Sequence, residues 1–205
     1  MTTHPSITLI EQRVSADRFD ASHTVAHAEI ETLVRLATRA PSAYNLQNWR
    51  FVAVHTPAAK ARLRSLAHGQ VKVSEAAVTF IVCGALPDPA AIPARLSPFV
   101  EAGHMPAKMA AGWQAGAVAQ YADARTARDE AVRSATLGAA TLIHGAGALG
   151  FASCPMVGFD AEGVARAFGL AANEIPVLLL PVGRAAPGNW PQKPRRPLSE
   201  VLQIA

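Results

Sequence analysis

The chain is short of cysteine, of long apolar runs and of concentrated charge. Only two cysteines occur in 205 residues, Cys83 and Cys154, both among apolar neighbours and in no paired spacing. Such usage speaks against a disulfide framework and fits buried thiols in a reducing compartment, here expected to be the cytoplasm. The longest apolar stretches, Ala76 to Leu86 and Ile175 to Val182, fall well short of the ~18 residues that a membrane span requires. The N-terminal stretch through Arg13 has neither a basic start nor a continuous apolar segment, so no signal peptide is expected. Basic residues outnumber acidic ones by 19 to 15, a net charge of +4, yet they are scattered, with one tight cluster at Lys193, Arg195 and Arg196. A long stripe for nucleic acid is not there, and a small basic pocket for a phosphate suits the distribution better.

What is present is apolar material. Half of the residues are hydrophobic, which excludes disorder. The length suits a single domain spanning residues 1–205, and a globule of this size buries about 70% of its unfolded surface without needing a disulfide or a metal.

Ala28 to Ala40 set Ile30, Leu33, Val34 and Ala37 on one helical face, ahead of Pro41, which cannot donate to a helix. Arg50 to His55 read as a strand, Pro57 to Ala67 as a helix with proline at its start, and Ala76 to Leu86 as a buried strand. Pro87 to Pro106 hold five prolines in twenty residues and predict a long loop or lid with short helical pieces. Asp129 to Leu149 read as a helix left smooth by Gly138, Gly145 and Gly147. An extended segment, Phe151 to Gly158, follows it, then a short helix, Ala161 to Phe168, and a strand, Ile175 to Val182. Gly183 to Ala205, rich in proline and basic residues with little apolar content, look like an arm on a surface. The irregular alternation favours α+β over a doubly wound fold.

Two formal motif matches fail on physical grounds. Gly145 to Gly150 spell G-x-G-x-x-G, but a dinucleotide site needs a strand before the string and a helix beginning inside it, the reverse of the order here. His23 and His27 have a metal-compatible spacing but no third ligand, so no metal is expected. Cys154, without a nearby histidine or helix start in sequence, reads as a packed thiol rather than a nucleophile.

Three better signals lie far apart. Arg13 to Asp20 put two guanidinium groups and a hydroxyl ahead of a helix, either to grip a phosphate or as an ordinary solvated basic stretch. Ala40 to Phe51 crowd Pro41, Ser42, Asn45 and Gln47 between a helix end and a strand start, either to read a flat heteroaromatic ring or as a capped turn. Lys193, Arg195 and Arg196 stand among prolines, pre-organised to close over an anion or simply solvated.

Taken in order, these segments resemble the nitroreductase family of FMN-dependent oxidoreductases over nearly the whole chain. Arg13-Val14-Ser15 is similar to the family's R-x-S element, with Phe19 and Asp20 in register. Ala40 to Trp49 resemble A-P-S-x-x-N-x-Q-P-W, changed only at the proline. Gly69 to Val73 precede a buried strand as in the family, Gly150 to Asp160 resemble G-hydrophobic-x-x-x-P-x-x-G-F-D, and Lys193-Pro194-Arg195 is similar to a terminal K-x-R.

The resemblance implies an α+β fold with a central, mostly antiparallel sheet flanked by helices. It implies an interlocked homodimer with an extended C-terminal arm and FMN at the interface. Arg13, Ser15, Lys193 and Arg195 would hold the phosphate, Val14 would also touch the cofactor, and Pro41, Ser42 and Asn45 of a partner subunit would line the ring and ribityl chain. Gln70 and Lys72 would face the pyrimidine edge, and Pro155, Met156, Val157 and Gly158 would pass the ring, with the backbone of Val157 and Gly158 near flavin N5. No side chain need be catalytic when the cofactor does the chemistry. Asp17 stands where the family often has a cation, which leaves Arg18 or Lys72 for that role, and its carboxylate is expected to turn away from the ring.

The function implied is reduction of an electron-poor acceptor, such as a nitroaromatic, quinone or enone, by NAD(P)H in a ping-pong hydride transfer. The alternatives are a specialised member that dehalogenates, fragments flavin or oxidises rings, and a non-catalytic basic binding protein. No nucleic-acid or membrane partner is expected.

Overall fold

A computed structural model describes residues 4–205. Residues 1–3, part of the stretch examined for a signal peptide, lie outside the described residues. Four strands form one antiparallel sheet in the order β1-β2-β4-β3, with β1 Trp49–Val54, β2 Val78–Ala85, β3 Ala152–Ser153 and β4 Glu174–Gly183. The helices are α1 Pro5–Gln12, α2 His27–Ala37, α3 Pro57–Leu66, α4 Lys72–Glu75, α5 Ile92–Glu101, α6 Ala107–Gln120, α7 Ala124–Ala148 and α8 Ala161–Ala167.

β2 lies inside the sheet and is buried along nearly all its length, because both of its faces are covered. Val78, Phe80 and Val82 join Leu178, Leu180 and Val182 of β4 under Leu33 of α2 and Leu142 of α7. The intervening Ile81 and Cys83 join Leu179 against Leu63 of α3 and Val164 of α8. This period of two divides the apolar side chains between two helical layers, and it explains why β2 reads in sequence as an unbroken apolar run. Burial pushes the Cys83 thiol up to about 12, with Glu174 adding to the effect, which makes it an inert core group.

Side-chain caps set several helix starts. Asp123 accepts from the Thr126 amide at 2.7 Å, so α7 begins five residues before the start expected from its apolar stripe. Asp160 does the same for α8, accepting from Gly163 at 2.9 Å.

The stretch from Pro87 to Pro106 is not the long loop expected from its prolines. It contains a short 3-10 turn, Pro89–Ala91, and then the ten-residue α5. Pro93 lies in the first helical turn, where an amide has no partner to lose. Pro98 interrupts the helix interior, and the Ser97 hydroxyl donates to the Ala94 carbonyl at 3.2 Å, the bond that the missing N–H would have made. Ile92 and Leu96 pack on Ala110 and Ala117 of α6, so burial outweighs the proline. Helices α1, α4 and α6 had no counterpart in the expected pattern.

The glycine positions of α7 are packed closely within the chain. A Cβ at Gly138 would stand 3.0 Å from Phe51, one at Gly145 2.9 Å from Leu36, and one at Gly147 2.9 Å from Leu9. The tightest approach is from the sheet, where a Cβ at Gly84 would fall 2.5 Å from the Ala131 carbonyl oxygen. Gly84→Ala should therefore destabilise the protein by about 2 kcal/mol through overpacking against a backbone that cannot move aside. Urea denaturation with an unchanged m-value checks it, and a shift near zero would mean that α7 is free to lift off β2.

Candidate active site

The site grows from the β3 edge of the sheet. Ser15 bridges Ser153 of β3, Ala16 donates to the Ser153 carbonyl at 3.0 Å, and Asp20 donates to that of Arg184 at 2.9 Å. Ala16 and Phe19 are buried with Ala76 and Cys154, which leaves Ser15, Asp17 and Arg18 on the exposed side of the segment.

The C-terminal arm returns to the same edge. Gln192 Nε2 donates to the Arg13 carbonyl at 2.7 Å, and Gln192 Oε1 accepts from Arg195 Nη2 at 2.9 Å. Arg13, Ser15, Lys193 and Arg195 thereby line one pocket of about 60 Å³, together with Trp190, Pro191 and Gln192. Arg13 Nη1 lies 3.4 Å from Ser15 Oγ. No carboxylate lines this pocket. Three cations and a hydroxyl without an acid among them are a donor set for a phosphate group. Val14 lines the neighbouring groove with Arg13 rather than this pocket.

Beyond Ser15 the chemistry changes. Lys72, first residue of α4, places Nζ 2.7 Å from Asp17 Oδ1 and 3.7 Å from Cys154 Sγ. Hydrogen bonding and attraction from Lys72 hold the Asp17 carboxyl below its usual range. Burial opposes the Lys72 charge, but Asp17 and Cys154 outweigh it and the ammonium titrates above an ordinary lysine. Burial also pushes the Cys154 thiol up, with Lys72 pulling the other way, consistent with a packed thiol.

Gln70 Nε2 donates to the Gly158 carbonyl at 3.0 Å, and Met156 exchanges two 2.9 Å backbone bonds with Leu179. Pro155 is half-buried between them. The next two amides, of Val157 and Gly158, donate to no partner among the described residues. Val157 is 77% exposed. The structure thus joins residues 13–17, 70–72, 154–158 and 192–195, which are distant in sequence.

The Asp17 carboxylate lies on Lys72, because an unpaired carboxylate beside a largely covered ammonium closes on it. The Arg18 guanidinium lies against Gly188 of the arm, 3.2 Å from where a Cβ would stand there. Of these two cations, Lys72 is the one bonded to Asp17.

Pro41, Ser42 and Asn45 do not line the basic pocket. They sit in the connection between α2 and β1, where Tyr44, Asn45 and Gln47 all adopt left-handed backbone angles, φ 51°, 53° and 50°. Such strain persists only where neighbours impose it. Here Ser42 Oγ accepts from the Gln47 amide at 2.9 Å, Tyr44 donates to Gln120 at 2.8 Å, and the Arg95 guanidinium donates to the Leu46 carbonyl. Asn45 opens onto a cleft of about 460 Å³ lined by Arg95, Phe99, Met105 and Trp113.

Among the described residues no cluster of His, Cys, Asp or Glu is fit to hold a metal. His23 instead packs near Phe151, with ring centroids 5.8 Å apart. Asn189 and Gln192 organise the site although sequence reasoning passed over both. The Pro187-Gly188-Asn189 string signals a turn, but nothing local shows that its amide reaches residues 17 and 18, on a segment far back in the chain.

Residues 10–184 match the model of the nitroreductase family. The chain belongs to that family. YodC of Bacillus subtilis, named as a candidate NAD(P)H nitroreductase, is 28% identical over 197 residues, 96% of each chain. An NADH dehydrogenase of Thermus thermophilus is 36% identical over 174 residues, 84% of this chain and 83% of the relative. A structure from Exiguobacterium sibiricum, solved in complex with FMN, superposes with a TM-score of 0.89 at 25% identity, covering 100% of this chain and 99% of the other. The α+β fold expected of a nitroreductase is the one found.

The lowered Asp17 titration should depend on its partner. In Lys72→Met the carboxyl should return towards the ordinary aspartate value of about 3.9, read by carboxyl-carbon NMR titration. Because the pair favours the charged form, its small stabilisation is present above about pH 4 and fades as pH falls through the lowered value. An unmoved Asp17 titration in the variant would show that the ion pair does not form in solution.

Proposed function

We propose that the protein uses NAD(P)H to reduce an electron-poor acceptor, a nitroaromatic, quinone or enone, in two half-reactions at one pocket. It is an FMN-dependent NAD(P)H oxidoreductase of the nitroreductase family. The observation that carries the reading is the convergence, within one chain, of an acid-free basic pocket with Lys72, Gln70 and two unpaired backbone amides. That donor set fits FMN from end to end: cations for the phosphate, a cation for the pyrimidine edge, and N–H groups for the ring's N5 side. FMN held here would supply the hydride-transfer chemistry that links the nicotinamide to the acceptor.

The chain's own residues bind and orient. Arg13, Ser15, Lys193 and Arg195 would hold the phosphate, with Gln192 bonded to two of them; Val14 lines the neighbouring groove with Arg13, and the Arg18 guanidinium lies beside Gly188 of the arm. Gln70 and Lys72 address the pyrimidine edge. Pro155, Met156, Val157 and Gly158 form the wall that the ring passes, pinned by the Met156 bonds to β4. No side chain need act as acid or base, and Cys154 is not a nucleophile.

The site is completed by a second copy of the chain. Pro41, Ser42 and Asn45 stand apart from the basic pocket in one subunit, which suits residues that serve the partner's site. The end of the arm supports an interlocked homodimer: Leu198, Val201, Leu202 and Ile204 are 56–88% exposed, and Ile7 and Ile10 of α1 are about half exposed. Exposed apolar side chains in such number suit a surface that is covered in an assembly. The arm is therefore richer in apolar groups than its prolines and cations suggested.

Purified protein should carry about one FMN per chain, and Arg13→Gln or Arg195→Gln should weaken FMN binding by roughly tenfold or more, one charge-assisted hydrogen bond each. Steady-state velocities should give parallel double-reciprocal lines; intersecting lines would overturn the shared pocket. Sedimentation at low micromolar concentration should show a dimer, and deleting residues 198–205 should shift it towards monomer. No FMN uptake at all would overturn the functional reading.

A further inference from the structure

The two ends of the proposed flavin site differ in charge compensation. At the phosphate end Arg13 contacts Ser15 and Arg195 contacts Gln192, with no carboxylate in the pocket lining. At the other end the cation comes with its own counter-ion: Lys72 is bonded to Asp17 at 2.7 Å. The Lys72 side chain is only 17% exposed, whereas that of Asp17 is 63% exposed.

Asp17 is held in place deliberately. The amides of Asp17 and Arg18 both donate to Asn189 Oδ1, at 2.6 and 2.9 Å, and Asn189 Nδ2 returns 2.9 Å bonds to the carbonyls of Arg18 and Ala186. One arm side chain thus fixes the backbone from which Asp17 reaches Lys72. Arg18, the other nearby cation in this turn, is directed to Gly188, which on the cofactor reading leaves Lys72 for the ring end.

We infer that Asp17 is a built-in counter-ion which offsets Lys72 at the pyrimidine end of the site and so lowers the reduction potential of bound FMN. The inference rests on the cofactor reading above. Taking up a hydride from NAD(P)H, two electrons and one proton together, leaves NAD(P)⁺ and adds one negative charge to the flavin ring at neutral pH. A free ammonium beside the pyrimidine edge would favour that charge, whereas an ammonium already paired with a carboxylate favours it less. The bound cofactor therefore stays the stronger reductant, suited to acceptors that are hard to reduce.

The test uses the full chain loaded with FMN and reads the midpoint potential by equilibration with a reference dye, alongside the dissociation constant of oxidised FMN. Asp17→Asn should favour reduced over oxidised FMN about tenfold, a rise of about 30 mV for a two-electron couple. Binding of oxidised FMN should change less than twofold, since the oxidised ring carries no charge to meet Asp17. Lys72→Met should shift the potential the opposite way. Asp17→Ser should repeat the Asp17→Asn result and separates charge from any fault of the amide.

A potential that stays put or falls in both Asp17 variants overturns the inference, as does a Lys72→Met potential that does not drop. Folded Asp17 variants that no longer take up FMN also overturn it, because Asp17 would then shape the site rather than tune its charge. Wild-type protein that binds no FMN overturns the cofactor reading and this inference with it; FMN uptake with an unmoved potential overturns only the inference.

Discussion

The structure depends on α7 lying directly on β2 with no side chain between them at Gly84. The Ala131 carbonyl occupies the place that any other residue's Cβ would need. That approach brings Ala135, Ala139 and Leu142 down onto Phe80 and Val82, and α2 packs beside them over the same face. Gly84 makes it feasible by admitting the helix to the strand, while Gly138 and Gly145 let Phe51 of β1 and Leu36 of α2 close on the same helix. A packed interior tolerates no added methylene at such a point.

Once α7 is seated, the rest of the site is geometry at the far edge of the sheet. The helix ends where Gly150, at φ 77°, turns the chain into β3. β3 offers one edge to the Ser15 segment and its neighbour β4 delivers the arm, so residues from both ends of the sequence meet beside Cys154. The basic pocket follows from that meeting. Its cations can gather because backbone and amide groups hold them: Gln192 ties Arg13 to Arg195, and Asn189 ties the turn at residues 17 and 18 to the arm. Like charges that repel in solution are kept close by neutral hydrogen bonds, which leaves their field free for an anion.

Much of the fold was legible in the sequence because its local signals agree with its packing. β1, β2, β4, α3 and α8 fall within a residue or two of their expected bounds, since each has an apolar period, a cap or a proline that tertiary structure had no reason to override. α5 was not legible. Its prolines argue for a loop, and only the burial of Ile92 and Leu96 against α6, with Ser97 replacing a lost hydrogen bond, makes the helix hold. α6 is equally opaque, with small residues all around it and no dominant apolar stripe. The glycines of α7 announced close approach but not to what, and the answer was the chain's own sheet and helices.

The same division runs through the site. The sequence by itself determined the donor types: guanidinium, hydroxyl and ammonium groups in an order that resembles one family, with no cysteine or histidine spacing that suits a disulfide framework or a metal. It also determined that a carboxylate stands at position 17, because residue identity is local information. Tertiary structure alone decided that this carboxylate closes on Lys72, that Arg18 turns to the arm, and that Asn189 and Gln192 organise the pocket. Those contacts join segments separated by most of the chain. Their partners are chosen by which backbone edges the sheet brings together, a relation that no local pattern of residues encodes.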